Sequence, residues 1–356
     1  MQTASIRPIR AAAALALGTL GLAHVASAQQ VTVYGAIGLD VISASNVYNG
    51  TKTGSVVKID DNAIVNSRIG VKGGEDLGGG LKAEFDLESS VSPDTGSARS
   101  TFWNRNAFVG LKGGFGSVRV GHQWNVSDDY MCGYFVCAYY SPFLMPGFYA
   151  ISDYYDNVIK YTTPNVAGFE GAVMYSAGEQ PGRGSAGQKF QAAVNYGRGP
   201  VGVGAVVFSE KDPNGVATNT MYELGASYDY GAFKGRLGLA TAEVNYSYNG
   251  TTKVTTTTGA FDATLVDVGV DVPLSAAATA SVDYVLNDKH GSGDDTSFVR
   301  VRGTYALSKR TSLNCNVIYL KNSGNAAFAF LTDGQGFNGK AGQSQTILSA
   351  GITHAF

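Results

Sequence analysis

The chain is short of charge. Lys, Arg, Asp and Glu together make 15% of its 356 residues, against about a quarter in an ordinary globular protein. What charge there is balances, 26 basic against 28 acidic, so no field gathers the phosphates of DNA or RNA, and no nucleic acid is expected as a partner. Cysteine occurs three times and histidine four times. Neither supplies the ligand spacing of a zinc module, so no metal and no cofactor are expected. Three of the histidines, His122, His290 and His354, lie beyond the N-terminal stretch, and none stands near a nucleophile motif, so no hydrolase is indicated. Mean hydropathy is close to zero, which excludes a bundle of membrane-spanning helices. Amphipathic helical periodicity is also missing: no apolar series at i, i+3, i+4, i+7 with caps persists. What is abundant is glycine, 47 residues, together with 20 Tyr and 17 Phe.

The first thirty residues read as an address. Arg7 and Arg10 precede an apolar stretch from Ala11 to Val25, and Ala26-Ser27-Ala28 is a small-x-small cleavage site. This is the pattern of a secretory signal peptide. Residues 1–28 are therefore expected to be removed, leaving 29–356 as one domain with 24 basic and 28 acidic side chains. Export makes disulfides permissible.

Beyond the leader the hydrophobic period is two. Val31, Val33, Ile37, Leu39 and Val41 alternate with Thr32, Tyr34, Ala36, Gly38 and Asp40; Leu81, Ala83, Phe85 and Leu87 alternate with Lys82, Glu84, Asp86 and Glu88. Successive side chains of a strand point to opposite faces, so these are strands. Seven short breaks, from Gly73–Gly80 to Leu307–Arg310, alternate with eight long ones, among them Ala44–Val65, Trp124–Asn157 and Asn249–Ala260. Fifteen connections join sixteen strands, the even number of a closed transmembrane barrel with both termini at the short-turn end. Tyr161, Phe169, Tyr196, Tyr228, Phe233, Tyr305 and Phe356 lie near short turns, as the aromatic girdle of a lipid-embedded barrel does. A soluble sandwich would share the alternation but would split a chain of this length into several domains. The glycine run Gly73–Gly80 is a turn and not a phosphate loop, since no Lys-Ser/Thr follows it.

Three stretches now stand out: Ser67-Arg68-Ile69-Gly70-Val71-Lys72-Gly73-Gly74-Glu75-Asp76-Leu77-Gly78-Gly79-Gly80, then Phe115-Gly116-Ser117-Val118-Arg119-Val120-Gly121-His122-Gln123, then Asp156-Asn157-Val158-Ile159-Lys160-Tyr161. With Val31-Thr32-Val33-Tyr34-Gly35 at the start and a strand ending in Phe356, the chain resembles the general porins of Gram-negative β-proteobacteria, the Neisseria, Bordetella and Burkholderia type. The resemblance implies an all-β fold, a sixteen-stranded antiparallel transmembrane barrel whose long third loop folds into the lumen. It implies an outer-membrane homotrimer among lipid and lipopolysaccharide, delivered by the barrel assembly machinery through Phe356. It implies no enzyme but a water-filled channel for passive diffusion of ions and small hydrophilic solutes. A solute-selective channel and a surface adhesin or receptor barrel are alternatives on the same fold.

In such a pore the lining charges at the narrowest point set selectivity. The resemblance makes Arg68 the first wall arginine, and parity agrees, since Ile69 and Val71 would face lipid and Arg68 and Lys72 the lumen. Arg105 and Arg119 are further wall candidates, although Arg105 shares parity with Val109 and Leu111 and is alternatively a trimer contact. Two family arginines are replaced, by His122 and by Tyr154. Parity with Val118 and Val120 sends His122 outward unless Gly121 bulges the strand. The third loop, Trp124–Asn157, has no Lys or Arg; it holds eleven aromatics and the acids Asp128, Asp129, Asp153 and Asp156. Asp128, Asp129, Tyr130, Tyr154 and Asp156 are its candidates for the constriction. Fewer arginines facing these acids predict weaker anion preference or a tilt to cations. Its aromatics either anchor the loop on the wall or offer a stacking surface to solutes. Cys132 and Cys137 form a bridge clipping this loop or remain two free thiols, and Cys315 is expected to face lipid.

Overall fold

A strand with one apolar face exposes unpaired N–H and C=O groups along its edges, and in lipid these must be satisfied by other strands. The structure, a computed structural model, meets that demand by closing a ring; it describes residues 30–61, 65–98, 101–136, 154–249, 253–328, 330–331 and 336–356. The expected leader, residues 1–28, lies outside these residues, as do Cys137 and Asp153.

The elements are β1 (Gln30–Tyr48), β2 (Thr53–Asp61), β3 (Arg68–Gly78), β4 (Leu81–Ser92), β5 (Ser97–Ala98), β6 (Asn106–Gly113), β7 (Gly116–Trp124), α1 (Val126–Met131), β8 (Tyr154–Thr162), β9 (Phe169–Ser176) and β10 (Lys189–Arg198). They continue with β11 (Val201–Lys211), β12 (Thr218–Asp229), β13 (Lys234–Asn249), β14 (Lys253–Pro273), β15 (Ala278–Lys289), β16 (Thr296–Ala306), β17 (Thr311–Asn322), β18 (Phe330–Leu331), β19 (Gly336–Phe337) and β20 (Gln345–Ala355). Neighbours pair antiparallel from β3 through β4 and β6 to β17, then to β20, and β20 pairs β1 from Ala36↔Ala355 to Ala44↔Ile347. Among the described residues this is a closed barrel of sixteen strands. Reciprocal bonds between Gly35 and Phe356 (3.2 and 3.0 Å) seal the joint at the short-turn end.

The seven short connections fall where turn chemistry places them. Gly78, Gly79 and Gly80, for example, all adopt positive φ (84°, 60° and 81°), a region open to glycine at no steric cost. Two long breaks are shorter than the sequence indicates. The chain from Ala44 to Val65 is not one loop: β1 runs on to Tyr48 and β2 returns along it from Tyr48↔Thr53 to Leu39↔Asp61. Thus β2 and β3 share one edge of β1 and together make the second wall strand. Between Asn249 and Ala260 the strands β13 and β14 extend instead, with Asn249 paired to Lys253. The β-branched Val254 and Thr255–Thr258 favour that pleated backbone over an open loop.

Parity then sorts the two faces. Val109, Val120, Leu224, Val282 and Val317 are exposed on the outside, as a lipid-facing surface requires. Phe169 packs on Tyr196 at 4.6 Å, and Tyr230 bridges Tyr228 and Phe233, at the short-turn end. The inner face is not uniformly polar. In its half nearer the long loops it carries Ile42, Phe208, Met221, Val244, Leu265, Val285, Phe298, Ile318, Leu320 and Ile347, all buried.

Part of that inner face is covered by the segment after β7. Tyr134 lies over Gly202, Gly204 and Gly225, and Phe135 over Gly238; a Cβ at Gly204, Gly225 or Gly238 would collide with the rings. Polar inward side chains fasten the same segment. Val126 N donates to Gln191 Oε1 (2.6 Å), Val136 N to Asp267 Oδ2 (2.5 Å), Tyr134 OH to Asn195 Oδ1 (2.5 Å) and Ser127 Oγ to Glu223. A buried aromatic ring contributes about 1.5–3 kcal/mol and a typical hydrogen bond about 1 kcal/mol net. The two rings therefore hold the segment and the bonds fix its orientation. We expect Gly225→Leu, which leaves Tyr134 no seat, to keep the heat-resistant gel mobility of a folded barrel but to open the chain near Tyr130 and Tyr134 to chymotrypsin. Unchanged resistance to cleavage would show that the glycine seat is not what holds the segment.

Candidate functional site

The ladder from β3 to β8 brings the charged residues of five strands into rungs. Inward positions recur every second residue, about 7 Å apart along a strand. One rung is Gly70, Glu88 and Asn106; the next is Lys72, Asp86, Phe108 and Gly121. Below it stand Gly74, Glu84, Gly110, Arg119 and Lys160, then Asp76, Lys82, Lys112, Ser117 and Thr162 at the short-turn rim. A cavity of about 710 Å³ runs along this wall, bounded by Lys72, Lys82, Glu84, Asp86, Arg119 and Lys160 and by Asp129 of α1.

Arg68 and Arg105 share one acid. Arg68 Nε stands 3.2 Å from Glu88 Oε2 and Arg105 Nε bonds Glu88 Oε1. Arg105 also lies against Trp124 (5.1 Å) and Tyr154 (5.4 Å), whose rings pack on each other at 4.2 Å. Although its parity is that of Val109, its guanidinium turns to the inward-facing Glu88 and is buried. Tyr154, standing where the family arginine was expected, thus acts as a wall for Arg105. Arg119 pairs with Glu84 at 2.7 Å and lies 4.7 Å over the Phe108 ring. Lys72 faces Asp86 across the ladder, yet its ammonium sits over the Tyr34 ring at 4.5 Å, while Tyr34 OH donates to Asp86 at 2.7 Å.

The loop candidates divide. Asp128 serves the helix: Asn125 accepts from Asp128 N (2.7 Å) and donates to Asp128 Oδ2 (2.8 Å), the usual work of an N-cap. Asp129 faces the cavity and accepts from Lys160 Nζ at 2.7 Å. Tyr130 OH donates to Glu170 at 2.9 Å; burial, with Glu170 beside it, pushes its phenol above the ordinary range, so it stays a neutral donor. His122 and Asp156 fall elsewhere. The irregularity that Gly121 signals is present, but the extra residue is on β8, and His122 remains opposite Ala107 on the face of Val118 and Val120. It bonds Asp156 at 2.6 Å, whose side chain is 79% exposed. Neither borders the cavity. Cys132 is disulfide-bonded and Cys315 is a free, exposed thiol. Sequence reasoning missed Lys82, Glu84, Asp86, Glu88 and Lys160 as lining or bracing groups, although parity with Arg68 and Lys72 through the ladder would have found the first four.

A family model described as Gram-negative porin matches residues 11–325. The chain belongs to the Gram-negative porin family. Its relatives include outer membrane porin protein 32 of Delftia acidovorans, 29% identical over 96% of this chain and 99% of that one. They also include major outer membrane protein P.IB of Neisseria meningitidis serogroup B, 30% identical over 90% of this chain and 97% of that one. Among solved structures, an anion-selective porin from Comamonas acidovorans aligns with a TM-score of 0.80 and 26% identity, covering 92% of this chain and all of the other. This porin is thus an outer-membrane barrel that forms a channel.

The pairing on that wall has an energetic consequence. Glu88 holds two cations and is buried, whereas Glu84 and Arg119 are both partly exposed. Removing one partner of a buried pair costs about 3–5 kcal/mol, and an exposed pair is worth about 0–1 kcal/mol. Glu88→Gln is therefore expected to lower the temperature at which the barrel loses its folded gel mobility, and Glu84→Gln to leave it almost in place. Equal shifts would show that Arg105 does not depend on Glu88.

Proposed function

We propose that this porin is a weakly selective general-diffusion channel whose constriction is formed between the β3–β8 wall and the chain after β7. The observation that carries this reading is the balance of the cavity lining. Lys72, Lys82, Arg119 and Lys160 face Glu75, Asp76, Glu84, Asp86 and Asp129, so neither sign dominates at the walls an ion must pass. Strong selectivity needs an excess of one sign near the path. The reading assigns conduction to the chain and no catalysis.

Several further parts belong to the same reading. Residues 1–28 act as a cleaved export signal. Cys132 pairs with Cys137 and clips the chain just after α1; the disulfide-bonded state of Cys132 and the free thiol of Cys315 support it. The porin assembles as a homotrimer. Outward aromatics such as Phe190, Tyr222, Tyr284 and Tyr319 mark β10 to β17, but β20, β1, β3, β6 and β7 present Ile352, Ile37, Val41, Ile69, Val109, Leu111 and Val120 instead. A face that is mainly aliphatic along its strands, with Phe115 and Phe356 at the short-turn rim, suits protein contact better than a lipid boundary. Lipid and lipopolysaccharide surround the rest, and Phe356 is the residue read by the barrel assembly machinery.

Planar bilayers test the proposal. Insertion is expected in groups of three equal current steps. Under a KCl gradient the reversal potential is expected to lie near zero, with a chloride-to-potassium permeability ratio within about threefold of one, the effect of roughly one unbalanced charge in water-like dielectric. A ratio far from one in either direction, or no current, refutes the reading.

A further inference from the structure

Asp129 occupies a singular place among the described residues. It borders the cavity of about 710 Å³ along the β3–β8 wall, a second of about 450 Å³ beside Arg119, Tyr130 and Glu170, and a third of about 380 Å³ beside Tyr134 and Asn195. Arg119 also borders the first two and Tyr130 the last two, but Asp129 borders all three, with a side chain 39% exposed. The residue that answers it is not exposed. Lys160, on β8, is 3% exposed and directs Nζ to Asp129 Oδ2 at 2.7 Å and to the Trp124 carbonyl oxygen at 2.9 Å. An ion in the lumen therefore meets the acid directly, and the lysine cancels its charge from behind. A surface pair so arranged has little effect at a distance, but loss of either partner uncovers a full charge next to the path.

We infer that Lys160 is a specificity-determining residue of the channel, acting through Asp129: it masks the carboxylate that would otherwise make the junction of the three cavities cation-selective. The inference rests on reading the chain as a weakly selective pore. It also explains why acids on the chain after β7, with few arginines facing them, need not produce a cation channel. The compensating charge sits inside the wall, beyond a roster of exposed arginines.

The experiment is a charge cycle in planar bilayers at low ionic strength, where screening is least. A unit charge about 10 Å from the centre of the path in water-like dielectric changes the weights of chloride and potassium about twofold each, in opposite senses, and so their permeability ratio about fourfold. Asp129→Asn is expected to raise the chloride-to-potassium ratio by about that factor, and Lys160→Met to lower it by about that factor. The double variant removes one charge of each sign and is expected to return within about twofold of the unmodified porin. If Lys160 served only to hold α1 in place, all three variants would loosen the same contact. Conductance would then change in all three while the ratio moved in one direction or stayed fixed, and that pattern overturns the inference. Asp129→Asn leaves the Lys160 bond to Trp124 intact, so it decides the matter even if Lys160→Met fails to fold: no rise in the ratio overturns the inference. A strongly chloride-selective unmodified porin refutes weak selectivity while the opposed signs of the variants still uphold the role of Lys160; an unmodified porin that carries no current overturns both.

Discussion

Closure of the sheet between β1 and β20 is the constraint on which everything else rests. In hydrocarbon no water relieves an unpaired backbone group, and each one costs several kcal/mol. An open edge along nine residues of β1 is not tolerable, so Ala36 to Ala44 must find Ala355 to Ile347. Once that pairing exists, every residue is committed to one of two media. A slip by a single position would turn Val109 and Val120 to water and Asp86 and Arg119 to lipid. The joint at Gly35 and Phe356 is therefore also what assigns Lys72, Glu84 and Lys160 to the lumen.

Much of this was legible in the sequence because period two and turn chemistry are local. The seven short turns need only glycine, proline and asparagine at the right places, and the sixteen-strand count followed from them. Arg68, Lys72 and Arg119 could be placed by parity, and Asp129 by its presence in an acidic, aromatic loop. The rest was not local. Tyr48 and Thr53 lie in polar stretches that read as loop, and they become strand because β1 and β2 pair with each other beyond the membrane. Arg105 has the parity of a lipid-facing residue, and only the long-range partner Glu88, with rings at Trp124 and Tyr154, turns its head inward. His122 illustrates the converse: Gly121 does mark an irregularity, but the extra residue belongs to the neighbouring strand, so the parity of Val118 and Val120 prevails.

The inner wall departs most from a simple picture of a barrel polar within and greasy without. Ile42, Phe208, Met221, Leu265, Val285, Phe298, Ile318 and Leu320 alternate with lipid-facing residues on the same strands and form an apolar belt on the inner face, between buried polar positions such as Glu223, Asp283, Asn287 and Arg300. The belt also explains why the glycines at 202, 204, 225 and 238 matter: they make the hollows into which Tyr134 and Phe135 fit, and a glycine-rich strand of this kind is a receptor for rings.

The same strands also carry a buried charged cluster, in which Arg236 pairs with Asp271 and Asp283, and Arg300 with Asp283. The large cavity follows β3 to β8, so on the proposed reading ions travel beside that wall. Proximity raises the influence of each lining charge, since Coulomb energy varies inversely with distance. A pore filled on one side can therefore be tuned with few charges, provided that they are nearly balanced. The pairs Arg119 with Glu84, Lys160 with Asp129, and Arg68 and Arg105 with Glu88 set opposite charges against each other locally, and not merely in the sum over the chain. Near-neutral net charge in the sequence and the weak selectivity proposed for the pore then have the same origin: opposite charges that meet across one or two strands, or between α1 and the wall.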